Sequence, residues 1–204
     1  ETIAVLTNMN QPLGKYCGNA LEVYEAIEVL KGNGEADLIR VCDMLGAYML
    51  KLAGVNDSVT SNIKLIESKI TSGEGLEKFR DLIQKQYGDY RVIDEPEMLK
   101  NAKFRIPLSS LEEGYISEID AKNIGQAVVN LGGGRYRKED PIDYSVGIEM
   151  DKKIGDKVKM GDTLLYIHAN TETQALMQVE MLRNSIKISK EEVYRAPEIL
   201  DIVD

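Results

Sequence analysis

The sequence predicts an α/β segment followed by an α+β domain, on three observations. Residues 2–6 form a near-continuous apolar run, followed by a turn with Pro12 and Gly14 and then an amphipathic helix. Strand, glycine-punctuated loop and helix in that order make half of a βαβ unit and imply a parallel sheet. Residues 36–86 then read as helices with no strand between them, and after residue 101 the periodicity changes to that of strands. The boundary is drawn there, with 1–100 as the α/β part and 101–204 as the α+β part.

Each element has a local reason. The run at 2–6 has the pattern of a parallel strand covered on both faces. Nothing else in the first hundred residues reads as its partner. It is an edge strand, or it pairs with the later domain, or the rest of its sheet lies upstream. The last is expected, because Glu1 is not a methionine and the strand begins within one residue of the terminus. Gly18 or Asn19 opens the first helix. Ala20, Val23, Tyr24, Ile27 and Leu30 recur on one side of it, and Glu22, Glu25 and Glu28 share the other.

Gly32-Asn-Gly34 ends that helix, and Asn33 is the expected N-cap of a long helix over 36–53 with a wide apolar face. A third helix starts at Asp57 or Ser58 and ends near Thr71, and Ser72-Gly-Glu-Gly75 separates it from a fourth over 76–86. Strands are expected at 103–108, 114–119, 145–150 and 163–169, with a helix at 121–131, another at 172–182 and a terminal strand at 185–189.

Composition narrows the function classes. The chain has 204 residues, 43% apolar and 29% charged, enough for one or two domains with an ordinary core. A net charge of −9 argues against a nucleic-acid or anionic-membrane partner. No apolar run approaches the ~20 residues of a membrane span, and no signal peptide is evident. Two cysteines, Cys17 and Cys42, are too few for a disulfide framework and suit a reducing cytoplasm.

Three blocks of sequence carry more specific information. The first is Asn8-Met-Asn-Gln-Pro-Leu-Gly14 with Gly18-Asn-Ala-Leu-Glu-Val-Tyr-Glu-Ala-Ile27. The second runs Leu131-Gly-Gly-Gly-Arg-Tyr-Arg-Lys-Glu-Asp-Pro-Ile-Asp-Tyr-Ser-Val-Gly147, and the third Lys153-Ile-Gly-Asp-Lys-Val-Lys-Met-Gly-Asp162. In order and spacing they resemble the pyrimidine-nucleoside and thymidine phosphorylase family over nearly the whole chain.

That resemblance implies that 1–100 is the helical C-terminal remainder of a parallel-sheet, phosphate-binding α/β domain. It implies a barrel-sandwich-like α+β domain over 101–204. The implied reaction is phosphorolysis, in which a pyrimidine nucleoside and phosphate give the free base and a pentose 1-phosphate. The implied assembly is a homodimer formed through helices upstream of this sequence. The family's catalytic histidine belongs to a Lys-His-Ser-Thr-Gly-Gly segment that this sequence lacks. No catalytic residue is therefore assigned, and the chain by itself is expected to be an inactive fragment. The alternatives are a stand-alone binding or scaffold module derived from such an enzyme, or a parent strict for thymidine.

Candidate site residues follow. By spacing alone Glu25 belongs to a solvated acidic stripe. The resemblance implies instead a potassium ion held by the carbonyls of Leu13 and Tyr16 and the carboxylate of Glu25, a donor set suited to a hard cation. Gly132-Gly-Gly-Arg135 lacks the Lys-Ser/Thr of a phosphate loop and reads first as a glycine cap for the helix at 121–131. Arg135, Arg137 and Lys138 form a basic cluster in an acidic chain, and the resemblance implies a role in domain closure. His168, the single histidine, sits in a strand pattern with no carboxylate near it in sequence and is read as structural. The spacing G-x-x-V-x-x-G-x-x-L at 155–164 is similar to that of biotinyl and lipoyl carriers, but Lys159 lies inside the glycine-bounded turn, which argues against a carrier.

Overall fold

The structure is a computed structural model that describes residues 1–203. In chain order its elements are β1 (Ala4–Thr7), β2 (Tyr16–Cys17), α1 (Asn19–Leu30), α2 (Ala36–Leu52), α3 (Val59–Thr71) and α4 (Glu74–Lys85). There follow β3 (Phe104–Ser109), β4 (Gly114–Ile119), α5 (Ala121–Val128), β5 (Gly147–Met150), β6 (Lys157–Val158), β7 (Thr163–Ala169), α6 (Glu172–Asn184), β8 (Ile186–Ser189) and β9 (Ile199–Val203). They form two compact units that are not contiguous in sequence.

The first unit comprises residues 1–8, 25–96 and 197–203. Among the described residues every strand pairing is antiparallel, and the parallel sheet expected around residues 2–6 is not seen among them. The partner of β1 is β9, with Ala4 opposite Val203 and a bulge at Leu6/Thr7. β1 alternates exposed and half-buried residues, as a strand in a two-stranded ribbon does, and is not covered on both faces. Arg40 of α2 holds Glu198, just before β9, through two hydrogen bonds of 2.9 and 2.7 Å.

The helices of this unit follow their sequence signals closely. Ser58 caps α3, its hydroxyl accepting the Ser61 N–H. The α2 cap differs from expectation: Glu35 occupies that position and offers no side-chain bond, while Asn33 donates to the Glu28 carboxylate at 3.1 Å. Val41 and Ala47 of α2 are buried, but Leu45, Met49 and Leu52 are exposed. Asn62 on α3 is buried and donates to the carbonyls of Ala47 and Asn56, tying α3 to the end of α2.

The second unit comprises Met9–Tyr24 and Glu97–Ala196. It holds a four-stranded sheet in the order β2-β5-β7-β3 and a three-stranded sheet in the order β6-β4-β8. Both sheets contribute to one core with α5 and α6. Leu108, Ile148, Leu165 and Ile167 come from the larger sheet, and Ile116, Ile119, Val158 and Ile186 from the smaller. Ile124, Ala127, Ala175 and Leu182 come from the helices. This is an α+β arrangement. All four residues of β5 are buried, the pattern of a strand inside a covered sheet.

Candidate functional site

The segment from Met9 to the start of α1 is bound into the second unit at several points. Tyr16 and Cys17 pair with Glu149 and Ile148 of β5, and the Lys15 carbonyl accepts the Met150 N–H at 2.7 Å. The backbone can come this close because two glycines meet. A Cβ on Gly147 would lie 2.4 Å from the Cys17 carbonyl oxygen, and one on Gly18 (φ +143°) 2.6 Å from that of Val146. Gly18 donates its N–H to the Glu22 carboxylate at 3.0 Å, and Asn19 donates from its side chain to the Gly133 carbonyl at 2.7 Å.

Farther back, the loop carbonyls face a cation supplied by the chain itself. The Lys153 ammonium donates to the carbonyl of Pro12 at 2.6 Å and to that of Gly14. The next residue's N–H, Ile154, donates to Gln11 Oε1 at 2.9 Å. The carbonyls freed from regular pairing by Pro12 and Gly14 are thus turned toward positive charge.

Tyr16 has a direction set by register. The Lys15 carbonyl faces β5 and accepts the Met150 N–H, so Tyr16, one residue on, occupies the non-hydrogen-bonded position opposite Glu149. Its carbonyl therefore points away from β5, on the outer side of the sheet's terminal strand. The Tyr16 ring is buried and meets Tyr24 edge-on, with centroids 5.4 Å apart. The Lys100 ammonium sits 3.5 Å from the Tyr24 ring centroid. Burial, reinforced by the Glu149 charge and partly offset by Lys100, pushes the Tyr16 hydroxyl up to about 12.

Sequence reasoning did not find Glu149. Its buried carboxylate accepts from Arg105 at 2.8 and 3.1 Å, lies 3.0 Å from His168 Nε2 and 3.4 Å from the Lys15 ammonium. Arg105 also stacks on Tyr166, 3.2 Å from the ring centroid. Burial alone would raise the Glu149 carboxyl. The hydrogen bonds from His168 and Arg105 and the charges of Arg105 and Lys15 outweigh it and hold the group well below the usual carboxylate range. The signal in the sequence was one acidic residue inside an apolar strand run, Gly147-Ile-Glu-Met150, which demands a partner. His168 is buried within this network.

Among the expected cation ligands, Leu13 and Tyr16 lie together in the second unit and Glu25 belongs to the first. Glu25 is buried, at 6% exposure, and is not part of a solvated stripe, whereas Glu22 is exposed. Among the described residues no group of three or more His, Cys, Asp or Glu side chains is placed to hold a metal ion.

The glycine loop ends α5 through a wider turn at Val129–Gly133, in which Gly132 takes φ +100°. Its carbonyl accepts the Asp143 N–H at 2.9 Å, which fastens this turn to the segment before β5. Arg135, Arg137 and Lys138 follow it, all exposed. The Asp140 carboxylate accepts the backbone N–H groups of Tyr136 and Arg137, which shapes the loop without using the basic side chains. Beside it an open groove of about 970 Å³ runs between Gly132, Asp143–Ser145, Asn170, Lys103 and Gln174. Asn170 organises its floor, donating to Asp143 at 2.6 Å and Ser145 at 2.9 Å and accepting the Lys103 N–H at 3.2 Å.

Comparison with known proteins adds two findings. Residues 115–189 match the family model described as the pyrimidine nucleoside phosphorylase C-terminal domain. Proteins named pyrimidine-nucleoside phosphorylase from Staphylococcus aureus strains USA300 and NCTC 8325 / PS 47 are each 46% identical over 172 residues. The match covers 84% of this chain and 40% of each relative. The protein of that name from strain bovine RF122 / ET3-1 gives the same identity and coverage. The chain thus spans 40% of the length of these relatives. Among the described residues no helix is long and apolar enough to cross a membrane.

Proposed function

Because the chain belongs to the pyrimidine-nucleoside phosphorylase family, we propose that it works as part of an enzyme that cleaves pyrimidine nucleosides with phosphate. The products are the free base and a pentose 1-phosphate, as in nucleoside salvage in the cytoplasm. The single observation that carries this reading is the 46% identity over 172 residues to proteins of that name. In this reading residues 1–100 close the phosphate-binding domain and 101–204 form the C-terminal domain. The exposed apolar side chains of α2, Leu45, Met49 and Leu52, support a role as the cover of such a domain. The working enzyme is a homodimer whose contacts lie outside these residues.

The chemistry assigned to this chain is organisation, not bond cleavage. Leu13 and Tyr16 would offer backbone carbonyls, and Glu25 a carboxylate, to a monovalent cation. Two observations, each made within its own unit, support this reading: the outward direction of the Tyr16 carbonyl in the second and the burial of Glu25 in the first. Potassium, when bound, supplies a fixed charge that neutralises a buried carboxylate and orders the loop. Arg135, Arg137 and Lys138 would act when the domains close, offering cationic donors without a backbone rearrangement.

The test is base release from uridine and thymidine in the presence of phosphate. A family-length phosphorylase containing this sequence is expected to release uracil or thymine only when phosphate is added. The 204-residue chain is expected to release neither. Measuring both nucleosides also separates broad specificity from a strict thymidine preference. A non-catalytic scaffold would be inactive at either length.

A further inference from the structure

The ammonium of Lys153 reaches back across 139 residues of sequence to the loop before β2, and the contact is built from both sides. Its own backbone is held in a tight turn. The Asp156 carboxylate accepts the Lys153 N–H at 2.8 Å, and the Asp156 N–H donates to the Lys153 carbonyl at 3.1 Å. That turn is fixed to β4, with the Gly155 N–H on the Ile116 carbonyl at 2.8 Å and the Ile116 N–H on the Asp156 carbonyl at 2.9 Å. Lys153 therefore projects from a rigid base. On the other side, the loop gives it the carbonyls of Pro12 and Gly14, and Gln11 is held by Ile154.

We propose that Lys153 is a positioning residue for the monovalent-cation loop, its ammonium fixing the Pro12 and Gly14 carbonyls so that those of Leu13 and Tyr16 are presented to the ion. The inference rests on the potassium reading above. Two alternate carbonyls are taken by Lys153 and the Lys15 carbonyl by Met150. The carbonyls between and after them, Leu13 and Tyr16, are the two in the expected donor set. A loop tethered at Pro12, Gly14 and Lys15 has lost most of the freedom that ion binding would otherwise have to remove. The choice of lysine matters. An ammonium is a compact charge with three donors that can converge on carbonyls two residues apart, whereas a planar guanidinium has its donors fixed in a fork.

The experiment compares wild type, Lys153→Met and Lys153→Arg in a family-length phosphorylase containing this sequence. Thermal melting is followed against potassium chloride, with choline chloride holding the ionic strength constant. Lys153→Met keeps the length and apolar stem of the side chain and removes its charge. It is expected to raise the potassium concentration for half-maximal stabilisation about tenfold, the size of a coupling between linked sites. Lys153→Arg is expected to give a smaller rise, and it carries the test alone if Lys153→Met does not fold.

Amide hydrogen exchange in potassium-free buffer should show faster exchange confined to residues 9–18 in the variants. A purely structural lysine would lower the melting temperature equally with and without potassium and leave the midpoint unchanged. That result overturns the proposal while the potassium reading stands, provided Glu25→Gln still shifts the midpoint. A wild-type protein with no potassium response overturns both.

Discussion

Glu149 on β5 and His168 on β7 lie side by side with Oε2 and Nε2 3.0 Å apart, both nearly shut off from solvent, and Arg105 on β3 closes on the same carboxylate. One acidic side chain thus links β5, β7 and β3, and through Lys15 it also reaches the segment that leads into β2.

This network makes stability depend on pH with a defined sign. The folded Glu149 carboxyl titrates well below its ordinary value of 4.5. A depressed carboxyl contributes stability that is complete above the unfolded pKa and is lost as pH falls toward the folded one. The wild-type melting temperature should therefore hold above about pH 5 and drop steeply below about pH 4.5. Glu149→Gln should cost on the order of 2–3 kcal/mol at pH 7, since Arg105 is half exposed and partly screened while His168 is not. Its melting curve should also be flatter on the acid side. Melting followed by circular dichroism from pH 3 to 8 checks both; parallel acid limbs for mutant and wild type would count against the network.

The meeting of Gly18 and Gly147 gives a steric prediction. A methyl on Gly147 would sit 2.4 Å from a backbone oxygen and 2.7 Å from Leu21. Neither strand can move without breaking the β2–β5 pairing. Gly147→Ala should destabilise by about 2–4 kcal/mol, beyond ordinary overpacking because the clash is with backbone. Gly125→Ala, where the added methyl meets nothing within 4 Å, should be neutral or slightly stabilising. Urea denaturation of the three proteins measures the difference.

Glu25 supplies the single negative charge in the expected cation site. Glu25→Gln in a family-length phosphorylase should weaken the potassium dependence of both melting temperature and activity. A loss of about tenfold or more in apparent affinity is the scale for removing a charged oxygen ligand. A mutant whose potassium titration overlays the wild type would leave Glu25 as a buried structural acid.

The exposed loop at Arg135 and Arg137 separates stability from turnover. Neither side chain is buried, so Arg135→Ala, Arg137→Ala should change stability by no more than ~0.5 kcal/mol. If the loop aids closure over substrate, kcat/KM for uridine should fall by roughly one to two orders of magnitude. A lower melting temperature with normal kcat/KM would make the loop a helix terminus and nothing more.

Local signals in this sequence were legible, and distant pairings were not. Ser58 before α3, the alternation at 114–119 and the apolar run at 163–169 each announce an element through nearest neighbours. The strand at 4–7 was visible, but its direction of pairing was not, because its partner β9 is nearly two hundred residues away and only five residues long. The helix after it suggested a βαβ unit, yet the antiparallel ribbon needs no such crossover. The turn over residues 9–18 could be read from its glycines and proline. What holds it, Lys153 and the Glu149 network, depends on contacts across more than a hundred residues that no periodicity encodes.

The most direct measurement is phosphate-dependent release of uracil from uridine, assayed in parallel for the 204-residue chain and for a family-length phosphorylase containing it. Turnover by the longer protein alone, abolished when phosphate is omitted, is the result this account predicts. Phosphate-dependent turnover by the 204 residues, or none by the longer protein, would contradict it.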